Sequence, residues 1–409
     1  MNFYKQNMLK KILNQELKVQ NVYQRVNPSF YPKKFEKKNF IKNKKFLTNL
    51  YFNYLKLPVE LFKNKSMLEF GSGTGEFSIN YLIWKMKADF VELNPLAIKK
   101  CKKYFKKFSN SKKFKIFNKS IFTFNIKKKY DFVSSIGVIH HTDYKKAFKI
   151  KSKFLKKNGF MMLGIGNSAG MFQRNLQRFI IYYLAGNNEK KMYRLTKIFF
   201  PEFLRRAQIY GRRSLDSIIY DNFINPKDFH PSTKEILDLA KKNKLILYSA
   251  WPPLTPIFLS DSAQRLNENI QKFSNVLSSN DIFSLIHKED DHKKLNLVNS
   301  KSKKSINILN RFTSLINNIG SKKLPSILSA KKNLKNLSKK KNKDLSFLDL
   351  PKTIFTKYNY NNFLTELITL FNLLEKKNEK KIKKFLKKTK VLFRGNAGIG
   401  MNYYMFYKK

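Results

Sequence analysis

Two acids and three alternating glycines carry most of the chemistry legible in this chain. The stretch Met67–Leu68–Glu69–Phe70–Gly71–Ser72–Gly73–Thr74–Gly75–Glu76–Phe77 runs a short apolar segment into Glu69 and then into a glycine-rich turn. Glycine permits positive φ and lets the backbone come close to a bound molecule. The helix predicted to follow offers unpaired N–H groups and the positive end of its dipole. Such a turn, at the carboxyl end of a strand in an open α/β sheet, cradles a nucleotide or cofactor. The dinucleotide pattern G-x-G-x-x-G does not fit Gly71-x-Gly73-x-Gly75, and no Gly-Lys-Ser/Thr follows to make a phosphate loop.

The second acid lies about 20 residues further on, where an acid binds ribose hydroxyls in related folds. Asp89–Phe90–Val91–Glu92 reads as a strand ending in that acid. Asn94–Pro95 reads as a helix start, so capping that helix is the alternative role for Glu92.

The turn resembles motif I of the class I S-adenosylmethionine-dependent methyltransferases, E/D-x-G-x-G-x-G. The resemblance continues in order: the strand ending at Glu92, then Tyr130–Asp131–Phe132–Val133–Ser134–Ser135–Ile136–Gly137–Val138–Ile139–His140–His141 as a fourth strand with its exit loop. Phe154–Leu155–Lys156–Lys157–Asn158–Gly159–Phe160–Met161–Met162–Leu163 is similar to the family's helix end, turn and fifth strand. It implies an α/β, Rossmann-like methyltransferase fold: a mostly parallel seven-stranded sheet with helices on both faces, plus helical insertions. It also implies S-adenosyl-L-methionine as cofactor. Its methionine part would lie against Glu69, Gly71, Ser72, Gly73, Thr74 and Gly75, and its ribose on Glu92. Ser120 stands where the family usually has an Asp accepting from the adenine amino group, a departure that a hydroxyl oxygen, Asn118 or a backbone group could make good. Ser135 to Gly137 would line the side facing the methyl group. No metal is implied.

The elements that must position these residues follow from pattern. Residues 1–60, rich in lysine and aromatics, read as a helical flank or lid. Residues 61–258 read as the methyltransferase domain, in which five strands alternate with helices to residue 167. A helical insertion at 168–230 follows the fifth strand and reads as the acceptor-binding region. Ser232–Thr233–Lys234–Glu235 fits a capping box, and Leu245–Trp251 a sixth strand. Residues 259–390 form a helical Lys/Asn-rich region with a linker near 288–304. Residues 391–409 read as the final, antiparallel strand, which would make 259–390 an insertion. Phe363, Leu364, Leu367, Ile368, Leu370, Phe371 and Leu374 mark one apolar helix face, for core packing or, alternatively, a dimer or membrane surface.

Composition bounds the partners. The chain has 409 residues, enough for two compact units, and 42% hydrophobic residues support a real core. Lys and Arg number 84 against 27 Asp and Glu, a net charge of +57 that would suit RNA or an anionic membrane surface. Lysine dominates, however, and Asn, Ile, Phe and Tyr are abundant too; all have A/T-rich codons, so genome composition is the competing explanation. The lone Cys101 cannot form an internal disulfide, consistent with a reducing, cytoplasmic setting. Met1–Asn7 lacks the apolar core of a signal peptide, and no apolar run approaches the roughly 18 residues of a transmembrane helix, which leaves peripheral membrane contact open.

For catalysis, His140, His141 and His230 are the candidate bases, since imidazole titrates near neutrality. Arg212 and Asp221 are the candidate acceptor-orienting residues. The expected reaction is methyl transfer to a small-molecule acceptor, at an oxygen of a sugar, lipid-linked or other metabolite. An RNA methyltransferase and a cofactor-binding scaffold without activity are the alternatives. The Asn/Asp-Pro-Pro-aromatic motif of amino-methylating DNA enzymes does not follow the fourth strand, and Cys101 is not placed as a base-attacking nucleophile.

Overall fold

The computed structural model describes residues 3–26, 36–109, 114–211, 213–252, 302–318, 326–338, 357–390, 392–393 and 400–409. Its centre is a seven-stranded sheet in the order β3-β2-β1-β4-β5-β7-β6. The strands are β1 (Ser66–Phe70), β2 (Lys87–Glu92), β3 (Phe114–Asn118), β4 (Tyr130–Ile136), β5 (Leu155–Gly166), β6 (Leu245–Trp251) and β7 (Met401–Lys408). β1 to β5 pair in parallel, and β7 runs antiparallel between β5 and β6.

Period-2 alternation explains why both faces must be covered. On β1, Met67 belongs to one core and Leu68 and Phe70 to the other; on β7, Met405 separates Tyr404 and Phe406 in the same way. One face is covered by α2 (Lys37–Asn49), a π turn at Leu50–Tyr54, α3 (Ile79–Ile83) and α4 (Pro95–Phe108). The other is covered by α5 (Tyr144–Lys153) and by α10 (Thr233–Lys242). The local start signals are realised. Asn94 accepts from the amides of Leu96 and Ala97 with Pro95 in the first turn, and Ser232 and Glu235 form a reciprocal capping box.

A second, all-helical core unites two stretches far apart in sequence. α6 (Phe172–Ala185), α7 (Glu189–Phe199), α8 (Pro201–Gly211) and α9 (Leu215–Ile219) pack with α11 (Ser302–Asn317), α12 (Ile327–Ser338), α13 (Lys357–Glu375) and α14 (Glu379–Lys388). Phe179 stacks on Phe371 at 5.5 Å and Phe172 meets Phe363 at 5.6 Å. The apolar face of α13 is therefore core: Phe363, Leu364, Leu367, Leu370, Phe371 and Leu374 are buried, with Ile368 packed against them. Most of the linker near 288–304 and of the segment before β7 lies outside the described residues.

α1 (Phe3–Arg25) stands apart from these layers and crosses the carboxyl ends of the strands. Gln20 Nε2 donates to the carbonyl of Leu93 at 3.2 Å, and Asn94 Nδ2 to that of Tyr23 at 3.5 Å.

Candidate functional site

A cavity of about 790 Å³ lies at the carboxyl ends of β1, β2 and β4, roofed by α1 and α2 and walled by the helical insertion. That is within the size range of pockets for cofactor-sized ligands, roughly 300–1,000 Å³.

The glycine turn forms its floor. Gly71, Gly73 and Gly75 all have positive φ, which other residues adopt only under strain. A Cβ on Gly71 would collide with Val138, and one on Gly75 with Cys101, so these two are also fixed by close packing. Gly73 faces open space. Gly71, Ser72, Gly73 and Thr74 line the cavity, whereas Gly75 packs against α4.

Glu92 stands beside the turn. Its Oε2 accepts from the Gly73 amide and its Oε1 from the Asn94 amide, both at 2.8 Å. It lines the cavity and holds the Asn94 amide, while the cap of α4 itself is the Asn94 side chain. Burial raises the Glu92 pKa, and the backbone N–H groups oppose that rise. Glu69 also lines the cavity, almost fully buried, and its Oε2 has no hydrogen-bond partner. Burial pushes its carboxyl up to about 8. A buried, unsatisfied carboxyl oxygen facing a cavity is costly unless a ligand donor meets it. This orphaned atom, together with the glycine floor, fits a cofactor carrying an ammonium group and a ribose.

Ser120 follows β3 at the far end of the cavity. Its hydroxyl donates to Glu16 of α1 and accepts from the Phe122 amide at 3.0 Å. Ser135 is fully buried within β4 and does not line the cavity; the wall there begins with the next residues, Ile136 and Gly137.

The opposite end is polar and charge-compensated. His140 and His141, in the single turn after β4, line the wall. Asp221 sits in a π turn at Tyr220–Ile224, an irregularity frequent at functional sites. α6 fixes that turn from behind: buried Arg178 donates to the carbonyls of Asn222 and Asn225, and Tyr182 Oη to those of Ile224 and Asn225. Arg213 pairs with Asp221 at 2.7 Å and Arg174 with Asp228 at 2.8 Å. Burial opposes ionisation of both acids. Arg213, His141 and Arg174 nevertheless bring Asp221 down to about 2, and His230 and Arg174 hold Asp228 well below the usual range.

Asp228 is the hub of the histidines. Its Oδ1 lies 3.0 Å from His230 Nε2, 3.7 Å from His141 Nδ1 and 3.9 Å from His140 Nε2. His140, His141 and Asp228 bring three possible ligand atoms within 4.8 Å of one another. The His141 Nδ1, however, is 3.0 Å from the Lys227 carbonyl, an acceptor that claims its proton, and Arg174 already holds the carboxylate. The trio is thus balanced by an arginine rather than arranged around a vacant coordination centre. Burial, then the neighbouring His141, depresses His140 well below the ordinary imidazole value, so its ring is neutral.

His230 does not reach the cavity. It is fully buried, with Nδ1 3.0 Å from Asn175 Oδ1, and its ring lies where a Cβ on Gly166 would collide. Its backbone N–H and carbonyl bond Asn317 of α11, so it ties the second helical stretch to the sheet. Arg212 lies outside the described residues. Sequence reasoning missed Glu16 and Tyr23 on α1, and did not assign roles to Arg174, Arg213 and Asp228. The spacing of Glu16, Gln20 and Tyr23, one helical face, was the available signal.

Residues 45–217 match a family model described as a methyltransferase domain. No curated protein matches the chain. Solved structures similar to it include PKMT2 from Rickettsia typhi, at 16% identity over 62% of this chain and 52% of that one, TM-score 0.41. NodS, an N-methyltransferase from Bradyrhizobium japonicum in complex with S-adenosyl-L-homocysteine, is 16% identical over 37% and 74%, TM-score 0.30. An S-adenosylmethionine-dependent methyltransferase from Clostridium acetobutylicum is 21% identical over 33% and 52%, TM-score 0.25. The chain spans about half the length of the solved proteins it matches first.

Proposed function

Residues 45–217 belong to the class I methyltransferase family, and from that premise we propose that the whole chain transfers a methyl group from S-adenosyl-L-methionine to a neutral, hydroxylated small molecule. The single observation that carries the acceptor class is the pairing at the acceptor end of the cavity. Among the described residues both arginines there are charge-matched to buried aspartates, although the Arg174 Nε keeps no hydrogen-bond partner. A site for a phosphate or carboxylate would keep a guanidinium charge unmatched, because charge-assisted recognition of an anion uses it. What remains is a set of hydrogen-bonding groups suited to hydroxyls.

When bound, the cofactor supplies a methyl group already activated on a sulfonium. The chain's residues do the rest. Glu69 and the Gly71–Thr74 turn would hold the methionine part and Glu92 the ribose, with the base towards β3. α1 and α2 roof the cavity, and fixing donor and acceptor in line there is worth several kcal/mol, on the order of 7–11 in favourable cases. Neutral His140 takes the acceptor proton, and Asp228 behind it offsets the charge that forms. His141, held by Lys227 and Tyr23, orients the acceptor.

The roofed cavity supports a small molecule over an RNA strand. The test is transfer of methyl label from S-adenosylmethionine to a metabolite extract and, separately, to total RNA. Label in the extract's neutral fraction is expected. Label confined to RNA would contradict the reading.

A further inference from the structure

The far end of the cavity holds an acid contributed by neither the sheet nor its loops. Glu16 of α1 lines the wall beside Ser120, and its Oε2 accepts the Ser120 hydroxyl proton. Among the described residues its other oxygen has no hydrogen-bond partner. The alternatives at this end are largely committed. The Ser120 hydroxyl donates to Glu16 and accepts from the Phe122 amide. The Asn118 amide donates to the carbonyls of Glu92 and Leu93, at 3.1 and 2.8 Å. Burial pushes Glu16 up to about 7, as expected of a carboxyl waiting for a donor.

We propose that Glu16 reads the nucleobase: its carboxylate accepts the exocyclic amine of an adenine ring, with Ser120 holding the carboxylate in place. This rests on the cofactor reading above, in which Glu92 takes the ribose and the base lies towards β3. The geometry assigns base selection to a helix residue, Glu16, that lies 55 positions before Gly71 in the chain. The helix is held in register by Gln20 on the Leu93 carbonyl, one turn further along. A carboxylate at this position discriminates strongly. An amine donates to it, whereas the oxygen of a 6-oxopurine repels it, and a site built for one hydrogen-bonding partner rejects the analogue that lacks it.

The test is calorimetric binding of S-adenosylhomocysteine and of its deaminated analogue S-inosylhomocysteine to the wild-type chain and to Glu16→Gln. The wild type should prefer the adenine compound by about tenfold or more. A glutamine amide can serve an amine or an oxo group, so Glu16→Gln should bring the two affinities to within about threefold. The ratio is taken within one variant, so partial misfolding cancels. An unchanged ratio in Glu16→Gln, or no preference in the wild type, overturns the assignment while leaving the cofactor reading intact. Binding of neither compound by the wild type overturns both.

Discussion

The Tyr23 hydroxyl donates to Asp221 Oδ1 at 2.6 Å and lies 3.0 Å from His141 Nε2, so a residue of the first helix completes the cavity wall beside the histidines. Burial and then the Asp221 charge keep this phenol protonated, and therefore a donor. Asn225 Nδ2 also reaches it, at 3.3 Å. Tyr23→Phe deletes the hydrogen bond to ionised Asp221 together with the contacts to His141 and Asn225; the bond to the acid alone is worth about 1.5–3 kcal/mol. Turnover should fall by roughly tenfold to a hundredfold, with affinity for S-adenosylhomocysteine little changed. Steady-state kinetics set beside calorimetry check this split; equal loss of both would make Tyr23 merely a structural support.

Cofactor binding should release a proton from Glu69. Its carboxyl, raised to about 8 by burial, is protonated at pH 7 in the free protein. An ammonium group placed against it favours the ionised form and lowers that value. Affinity should therefore strengthen as pH rises from 6 towards about 8 and level off above. Calorimetry in buffers of different ionisation enthalpy measures the proton directly. Glu69→Gln should abolish both the release and the pH slope.

Asp228 should dominate the pH dependence of stability. Its folded pKa lies below its unfolded value, so its contribution is present above the unfolded value, near pH ~4, and is lost as pH falls through the folded value. His140 and His230 are also depressed, burial being the largest cause. The unfolded chain takes up protons near pH ~6.5 that the folded chain refuses, so stability falls below that pH as well. All three groups act in the same direction. Asp228→Ala leaves Arg174 uncompensated and should cost about 3–5 kcal/mol. Urea unfolding between pH ~3 and about 8 reads both effects; a variant as stable as wild type would contradict the hub role.

The fold was legible because its signals are local. Strand-length apolar runs, the Asn94–Pro95 start and the Ser232–Glu235 box each depend on a few neighbouring residues, and the structure realises them. The cavity floor was legible for the same reason: Glu69, the glycines and Glu92 lie within one βαβ unit. The far walls were not. Glu16 and Tyr23 sit in a lysine-rich helix where an acid or a phenol reads as ordinary surface, and only the tertiary crossing of α1 over the strand ends gives them partners. Asp228 was visible only as one residue of a polar stretch, since the arginine and histidines that it gathers come from α6, the turn after β4 and its own loop. His230 shows the opposite error: a histidine beside a proline near the acceptor region looks reactive, yet packing against Gly166 and Asn175 takes it out of the cavity.

The cavity should bind S-adenosylmethionine through the glycine turn and Glu92. This is tested most directly by calorimetric binding of S-adenosylmethionine and S-adenosylhomocysteine to the wild type and to Glu92→Ala. The wild type should bind both at about micromolar affinity, weakened at least about tenfold in the variant, about 1.4 kcal/mol. No binding by the wild type, or equal binding by Glu92→Ala, would contradict it.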